Sequence, residues 1–235
     1  MCRIANLNNQ EGEWEQARLF IHHEVPFIEA SAYPPITAPL VYARIKGIKK
    51  QRDGSLYFPR RIIGKCSRLE IAKQLMAPPP EDLVEQLLEE KWITEEEAVL
   101  SKSIPMVDDI ALEADSGGHT DQGVLSALVP SVLALRKEIQ KNHLYPEPIL
   151  VGCGGGIGTP EAVASAFMMG ADFVFTGSIN QCTVESGAHD VIKELLSSIS
   201  IHDTAVTAAG DMFEIGAKAQ VVSKHTQFSN RANKL

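Results

Sequence analysis

The stretch VGCGGGIGTPEAV, residues 151–163, constrains the fold more than any other part of the chain, because five of its first eight residues are glycine. Glycine weakens the interior of a strand or helix, so such a cluster indicates a tight turn or a close backbone approach to a ligand. The apolar run EPILV before it predicts a buried strand. Thr159 and Pro160 suit the N-cap and first position of a helix over about 161–169, which Gly170 would end.

A glycine-rich turn between a strand end and a helix start presents free backbone N–H groups to the solvent. The helix dipole adds partial positive charge at the same place, and together they form an anion site. The stretch therefore predicts phosphate binding. A tight turn that binds nothing is the alternative, because a glycine-rich loop alone is weak evidence.

Composition narrows the class of protein. The chain has 235 residues, of which 44% are hydrophobic, enough for one large domain or two small ones. It contains no run of about 18 apolar residues and no apolar N-terminal segment, so we expect no membrane partner and no signal peptide. The net charge of −8 argues against a nucleic-acid partner. The cysteines Cys2, Cys66, Cys153 and Cys182 lack the spacing of a metal site, so we expect no metal, and free thiols in a reducing cytoplasm.

Strand-like and helix-like segments alternate along the chain, which is the pattern of a parallel sheet. The predicted strands are 3–7, 26–30, 61–65, 109–114, 147–151, 171–176 and 205–209. The predicted helices are 13–23, 39–46, one opened by a Ser67–Glu70 capping box, 81–90, one opened by a Thr94–Glu97 capping box, 125–141 with a displaced start or a kink at Pro130, 161–169, 190–198 and 213–222.

We predict an α/β fold of the TIM (β/α)₈ type, formed by residues 1–66 and 106–235, with an inserted helical subdomain over 67–105. A barrel needs eight strands and typically about 250 residues, so this one would be incomplete at its N-terminus by about one βα unit. An open doubly wound sheet is the alternative; the barrel is favoured because candidate site residues follow several different strands. An unclosed barrel exposes two strand edges, so we expect a homo-oligomer or marginal stability.

Three strand ends carry the candidate chemistry: EADSGGHTD (113–121), GCGGGIGT (152–159) and TGSINQ (176–181). In a barrel, successive strand ends are neighbours on one rim, where phosphate sites are common. The two loops rich in glycine, threonine and serine could therefore hold one phosphate from two sides.

Three side chains near these strand ends have two interpretations each. His119, flanked by glycines, could exchange a proton at working pH or simply hydrogen-bond its own loop. Lys65, at the end of the RIIGK strand, could place a cation beside an anionic cofactor ring or lie on the surface. Asp115 could cap its own loop or contact a ligand. The basic stretch 49–61 is interpreted as a solvated loop.

Together these motifs resemble a known family. In this order, EADSGGHTD, GGIGTPEAV, TGSINQ, GDMFEIGAKAQV and RANKL are similar to the trans-acting enoyl reductases of bacterial polyketide and polyunsaturated fatty acid synthases. That family belongs to the nitronate monooxygenase, or 2-nitropropane dioxygenase-like, group of FMN barrels. IEASAY and PLVYARIKGI resemble it too, and the similarity covers about residues 13–235.

The resemblance implies an FMN-binding barrel that reduces an enoyl thioester on an acyl carrier protein, with NADPH as donor. It implies that His119 lies beside the reacting carbon. The implied cofactor-binding residues are Gly155, Gly156, Gly177 and Ser178 at the FMN phosphate, Lys65 near the flavin ring, Asn6 against FMN, and Asp115, Gly118 and Thr176 in the same site.

This chain departs from the family pattern in several places. The pattern includes an N-terminal part with its first strand, and a C-terminal helical segment, beyond the residues matched here. Cys153-Gly154 stands where the family usually has small alanines, and Gln122-Gly123 stands where it usually has Asn-Arg. Two other functions stay open: oxidation of a nitronate by the same flavin and histidine with oxygen as acceptor, and a non-catalytic fragment that has lost its flavin.

Overall fold

The computed structural model describes residues 2–4, 10–31, 35–210, 212, 214, 216–224 and 226. The strands in these residues are β1 (Cys2–Ile4), β2 (Phe27–Ser31), β3 (Lys49–Lys50), β4 (Leu56–Tyr57), β5 (Arg61–Cys66), β6 (Asp109–Glu113), β7 (Gly118–His119), β8 (Leu150–Gly154), β9 (Phe173–Val174), β10 (Thr204–Ala208) and β11 (Lys218–Val222). The α-helices are α1 (Gln10–His22), α2 (Ala38–Ile45), α3 (Leu69–Met76), α4 (Glu81–Glu89), α5 (Glu95–Ser101), α6 (Leu125–Asn142), α7 (Pro160–Met168) and α8 (Asp190–Ser198). Short 3₁₀ helices cover Ser178–Cys182 and Ile201–Asp203.

The chain divides into two compact units. The first comprises Met1–Ala111 and Ser131–Val151, and the second comprises Leu112–Pro130 and Gly152–Leu235. Among the described residues, no helix is long and apolar enough to cross a membrane.

The first unit is built on parallel strands in the order β1-β2-β5, with the start of β6 beside β5. The register of β2 on β5 places Phe27 opposite Arg61 and Ser31 opposite Lys65. Side chains alternate along β5 between buried and half-buried positions, as expected for a strand between two layers. The buried core of this unit comes from α1, α2, α3 and these strands, and includes Phe20, Leu40, Ile45, Ile62, Leu75 and Met76.

A buried ion pair links α2 to the segment that precedes β6. The guanidinium of Arg44, only 1% exposed, donates two hydrogen bonds to the carboxylate of Asp108, at 2.8 and 3.0 Å. Its Nε also donates to the carbonyl of Pro105 at 2.9 Å, and Asp108 Oδ2 accepts from the backbone N–H of Ile62 at 2.7 Å. The pair therefore satisfies its own charges and also holds β5 against the start of β6.

Residues 67–105 are helical and lie within the first unit, as α3, α4 and α5. Their separation as a subdomain stays a prediction. The capping box of α5 is confirmed: the Glu97 N–H donates to Thr94 Oγ1 at 3.2 Å, and the Thr94 N–H donates to Glu97 Oε2 at 2.8 Å. The Ser67–Glu70 box is wrong, because the N-cap of α3 is Arg68, which places Glu70 at the second helical position rather than the third.

The second unit pairs the end of β6 with β8, and β8 with β9. The β8–β9 pairing is parallel and sets Gly152 opposite Phe173 and Cys153 opposite Val174. The backbone N–H of Ala114 donates to the carbonyl of Gly154 at 2.9 Å, just beyond β6. This pairing places the loops that follow β6, β8 and β9 at the same end of their strands.

The last predicted helix, over 213–222, is wrong. The structure has a strand there, β11, which pairs antiparallel with β10 from Thr204↔Val222 to Ala208↔Lys218. The sequence KAQVV carries β-branched valines, and a complete partner strand decides the conformation of such a segment more strongly than its helical pattern. The basic stretch 49–61, interpreted as a loop, contains the short β3–β4 hairpin.

Other boundaries differ by a few residues from those predicted. Helix α6 begins at Leu125 and continues through Pro130 to Asn142. Strand β9 is shorter than the predicted 171–176.

We predict that replacing Arg44 with methionine destabilises the first unit by about 3–5 kcal/mol, because it leaves the Asp108 carboxylate buried without its partner. Urea unfolding followed by tryptophan fluorescence measures this. The two tryptophans, Trp14 and Trp92, stack in this unit with ring centroids 4.8 Å apart. The control is Lys102→Gln, which breaks an exposed ion pair with Glu81 and should leave the unfolding midpoint unchanged. Equal midpoints for both variants would contradict the importance of the buried pair.

Candidate functional site

The EADSGGHTD loop of the second unit follows β6 and is closed by hydrogen bonds to Asp115. The Asp115 N–H donates to the carbonyl of Gly123 at 2.8 Å. Its Oδ1 accepts from Thr120 Oγ1 at 2.8 Å, and its Oδ2 accepts from Gln220 Nε2 at 3.0 Å. These contacts support the interpretation of Asp115 as a cap for its own loop, and a ligand contact stays a prediction. His119 ends the short strand β7 and is exposed.

Strand β8 runs further into the glycine cluster than predicted, because two of the glycines pack against aromatic rings. A Cβ on Gly152 would lie 2.2 Å from the ring of Phe173, and a Cβ on Gly154 would lie 2.3 Å from the ring of Phe175. These glycines therefore belong to the interior of the sheet. The prediction that the strand ends at Val151 is wrong by three residues.

The next two glycines form the turn. Gly155 has φ +99°, and a Cβ on it would lie 2.7 Å from the carbonyl carbon and oxygen of Ala114. Gly156 has φ +69° and is exposed. No neighbouring atom would lie within 4 Å of a Cβ added to it. Both backbones need the left-handed region that favours glycine. Only Gly156 leaves open space above its backbone.

The helix after the turn begins as predicted. Thr159 is the N-cap of α7, its Oγ1 accepts from the N–H of Ala162 at 3.2 Å, and Pro160 occupies the first helical position. Gly170 follows the end of the helix with φ +100°. A nine-residue helix therefore begins directly after the glycine turn, with its N-terminus at the same end of β8.

The TGSINQ loop follows β9 and is held by its own side chains. Thr176 Oγ1 donates to Asn180 Oδ1 at 3.0 Å, and Asn180 Nδ2 donates to the carbonyl of Thr176 at 2.9 Å. Gly177 caps the 3₁₀ helix that begins at Ser178, and no atom lies within 4 Å of a Cβ built on Gly177.

The three loops contact each other in pairs. The first meets the second where Gly155 lies against Ala114, and a Cβ on Gly117 of the first would lie 2.9 Å from Ser178 Oγ of the third. The second meets the third where a Cβ on Gly158 would lie 3.6 Å from Ile179 Cγ2. The structure thus brings together the strand-end loops that the sequence predicted as neighbours.

The three loops leave backbone open to an anion such as phosphate. Gly118, Gly156 and Gly177, one from each loop, have no atom within 4 Å of a built Cβ. They lie on loops that contact each other, and the loop of Gly156 leads into the N-terminus of α7. Backbone N–H groups in such a position bind phosphate oxygens.

The structure does not test two of the predicted cofactor residues. Lys65 lies near the end of β5 in the first unit, half-buried. Asn6 lies outside the described residues, as does the RANKL motif. Their roles stay predictions.

Two of the thiols are buried, which disfavours their thiolate form. Cys153 is buried at the end of β8, and burial raises the pKa of its thiol. Burial likewise raises the pKa of Cys66 to about 12. Cys66, Cys153 and Cys182 are all free, as predicted. The part of the chain that the structure describes holds no group of three histidine, cysteine or acidic side chains placed to bind a metal.

Sequence reasoning missed the residues that hold the first loop. Thr120 is buried and bonds Asp115, while Lys218 and Gln220 reach the loop from β11. The local signal for β11 favoured a helix. In KAQVV the polar residues Lys218 and Gln220 alternate with the apolar Ala219 and Val221. This alternation could have indicated a strand with one polar face.

Comparisons with known proteins identify relatives of this chain. No family model matches it. It is 48% identical to the polyketide biosynthesis protein PksE of Bacillus subtilis over 232 residues, which are 99% of this chain and 30% of that protein. It is 43% identical to a polyunsaturated fatty acid synthase component of Thraustochytrium over 219 residues, which are 92% of this chain and 15% of that protein. The crystal structure of the enoyl reductase domain of MlnA, from the macrolactin cluster of Bacillus amyloliquefaciens, superposes with a TM-score of 0.94 at 44% identity and covers 100% of this chain.

The chain is a homologue of the MlnA enoyl reductase domain and of proteins of polyketide and polyunsaturated fatty acid synthesis. It spans 53% of the MlnA domain and less than a third of PksE. FabK from Thermotoga maritima shares the fold, with a TM-score of 0.57 at 22% identity over 98% of this chain. These likenesses confirm the predicted TIM-type α/β barrel fold for this enoyl reductase homologue.

We predict that Gly155→Ala destabilises the enoyl reductase homologue by about 2 kcal/mol or more, because the new Cβ overlaps the backbone of Ala114 and φ is left-handed. The matched control is Gly156→Ala, which meets no neighbouring atom and should cost only about 1 kcal/mol of backbone strain. Urea unfolding followed by circular dichroism compares the two. A larger loss for Gly156→Ala would contradict the close approach of the second loop to the first.

Proposed function

We propose that this chain carries the FMN-phosphate site of an enoyl reductase, which acts in trans on enoyl thioesters of acyl carrier protein in polyketide or polyunsaturated fatty acid synthesis. The observation that carries the proposal is the contact among three glycine-containing strand-end loops, in a chain 44% identical to a solved enoyl reductase domain. We place the enzyme in the cytoplasm, because its described cysteines are free thiols.

The loops would hold FMN by its phosphate. Gly155 and Gly156 with Gly177 and Ser178 would supply backbone N–H groups, and the N-terminus of α7 adds partial positive charge. Gly118, Asp115 and Thr176 would complete the site. Bound FMN would supply hydride chemistry, with NADPH as the donor.

His119 would supply the proton. Reduction of a carbon–carbon double bond needs a proton as well as a hydride, and an imidazole exchanges protons at neutral pH. The exposed position of His119, on the loop that contacts Ser178 through Gly117, supports this role. The family resemblance implies flavin contacts for Lys65 and Asn6 as well, and a lysine in such a contact would stabilise negative charge.

We expect the parent chain to bind FMN and Gly156→Val to lose most of that affinity, because the valine fills the space through which a phosphate approaches the loop. The matched control is Gly54→Val, since Gly54 has φ +88° in the β3–β4 turn of the first unit and takes the same backbone strain. Flavin fluorescence titration measures both affinities. Equal FMN affinity in Gly156→Val and the parent would show that the site is misplaced. A parent chain that binds no FMN in this titration would favour the non-catalytic fragment.

We expect His119→Ala to slow NADPH oxidation with a crotonyl thioester by about 10²–10⁴-fold, the usual contribution of a general acid, while FMN stays bound. His202→Ala, an exposed histidine in a 3₁₀ helix, is the control and should keep the parent rate. An unchanged rate in His119→Ala would remove this residue from the mechanism. Oxygen uptake with a nitroalkane, without thioester reduction, would assign nitronate oxidation instead.

A further inference from the structure

Strand β11 contacts the His119 loop on both sides of that histidine. On one side, Gly117 forms an isolated parallel β-bridge with Gln220. On the other side, the N–H of Thr120 donates to the carbonyl of Lys218 at 3.0 Å. The backbone on either side of His119 is therefore fixed to one strand that lies about a hundred residues later in the chain.

Side chains extend this attachment into the loop. Gln220 Nε2 donates to Asp115 Oδ2 at 3.0 Å, while Thr120 Oγ1 donates to Asp115 Oδ1 at 2.8 Å. Thr120 Oγ1 in turn accepts from the N–H of Gln122 at 3.0 Å. Because the carboxylate is charged and half-buried, its hydrogen bonds are stronger than those between neutral groups. The chain of contacts runs from β11 through Asp115 to Thr120, the residue that directly follows His119.

The same loop carries backbone strain that these contacts offset. Gln122 has φ +58°, a conformation that residues other than glycine rarely adopt. Its side chain accepts a hydrogen bond from Lys218 Nζ at 3.3 Å. Strained residues persist only where surrounding contacts fix them, and such sites are often functional.

We propose that Gln220 is a positioning residue for His119. Its amide binds the Asp115 carboxylate, and the carboxylate through Thr120 fixes the backbone that carries the imidazole. The effect on turnover rests on the proposed function of His119, whereas the effect on loop geometry does not.

Glutamine suits this place for a physical reason. Its amide N–H donates to the carboxylate without adding a charge, and its backbone simultaneously forms the bridge to Gly117. A methionine has nearly the same length and keeps the strand, but it cannot donate. Gln220→Met therefore removes the hydrogen bond and leaves one oxygen of the half-buried carboxylate without that donor.

The test measures loop order without any cofactor. Hydrogen exchange of the free protein gives protection factors for the amides of Thr120 and Gln122, which both depend on this network. We expect Gln220→Met to lower both by about tenfold, the usual effect of losing a hydrogen bond to a charged group. The ring signals of His119, assigned by their loss in His119→Ala, should shift in the same variant.

Two further variants separate this effect from general damage. Val221→Thr changes the adjacent residue of β11, whose side chain points to the opposite face, and should leave both protection factors within twofold of the parent. In the Asp115→Ala background, Gln220→Met should have no further effect, because its partner is already gone. Unchanged protection at Thr120 in Gln220→Met would overturn the proposal. So would an equal loss of protection in Val221→Thr, or full additivity with Asp115→Ala.

The activity measurement then tests the link to catalysis. At saturating FMN, Gln220→Met should lower kcat for the enoyl thioester about tenfold while the KM stays within twofold. A normal kcat together with a disordered loop would overturn the positioning role. Absence of FMN binding and thioester reduction in the parent would count against the proposed function alone, since the exchange and ring-signal measurements stand without it.

Discussion

The backbone of Gly155 lies directly against the backbone of Ala114, and the arrangement of the candidate site depends on this contact. A Cβ at that position would lie 2.7 Å from the Ala114 carbonyl, so no side chain can separate the two loops. The adjacent hydrogen bond from the Ala114 N–H to the Gly154 carbonyl fixes their register. With these two loops held together, the third is placed by Gly117 against Ser178. Each of the three loops also carries one glycine with open space beside it: Gly118, Gly156 and Gly177.

Local signals in the sequence predicted much of the fold. Thr159 and Pro160 start α7 because capping and a fixed proline φ act within one turn, and Thr94 with Glu97 starts α5 for the same reason. Helix α8 matches its predicted bounds. The Ser67 box failed because the N-cap of α3 is Arg68, one residue further along the chain.

The features that sequence reasoning missed depend on partners far along the chain. Gly152 and Gly154 are glycines because Phe173 and Phe175 occupy the space above them, which periodicity within β8 could not reveal. The contact of Gln220 with the His119 loop depends on β11 being a strand, and that strand forms by pairing with the distant β10. The neighbouring strand-end loops could be predicted because parallel strands bring their ends to one edge, while the contacts that hold each loop could not.

The hydrogen bond between Asp115 and Gln220 joins residues 105 positions apart, and this affects the order of events during synthesis. A ribosome adds about 5–20 residues each second, so the His119 loop emerges roughly 5–20 seconds before the strand that holds it. During that interval the strained backbone at Gln122 lacks its contact with Lys218. The loop that carries His119 is thus completed only after residues 218–220 have been synthesised. The contact of Gly155 with Ala114 does not wait for that strand, because both residues precede it in the chain.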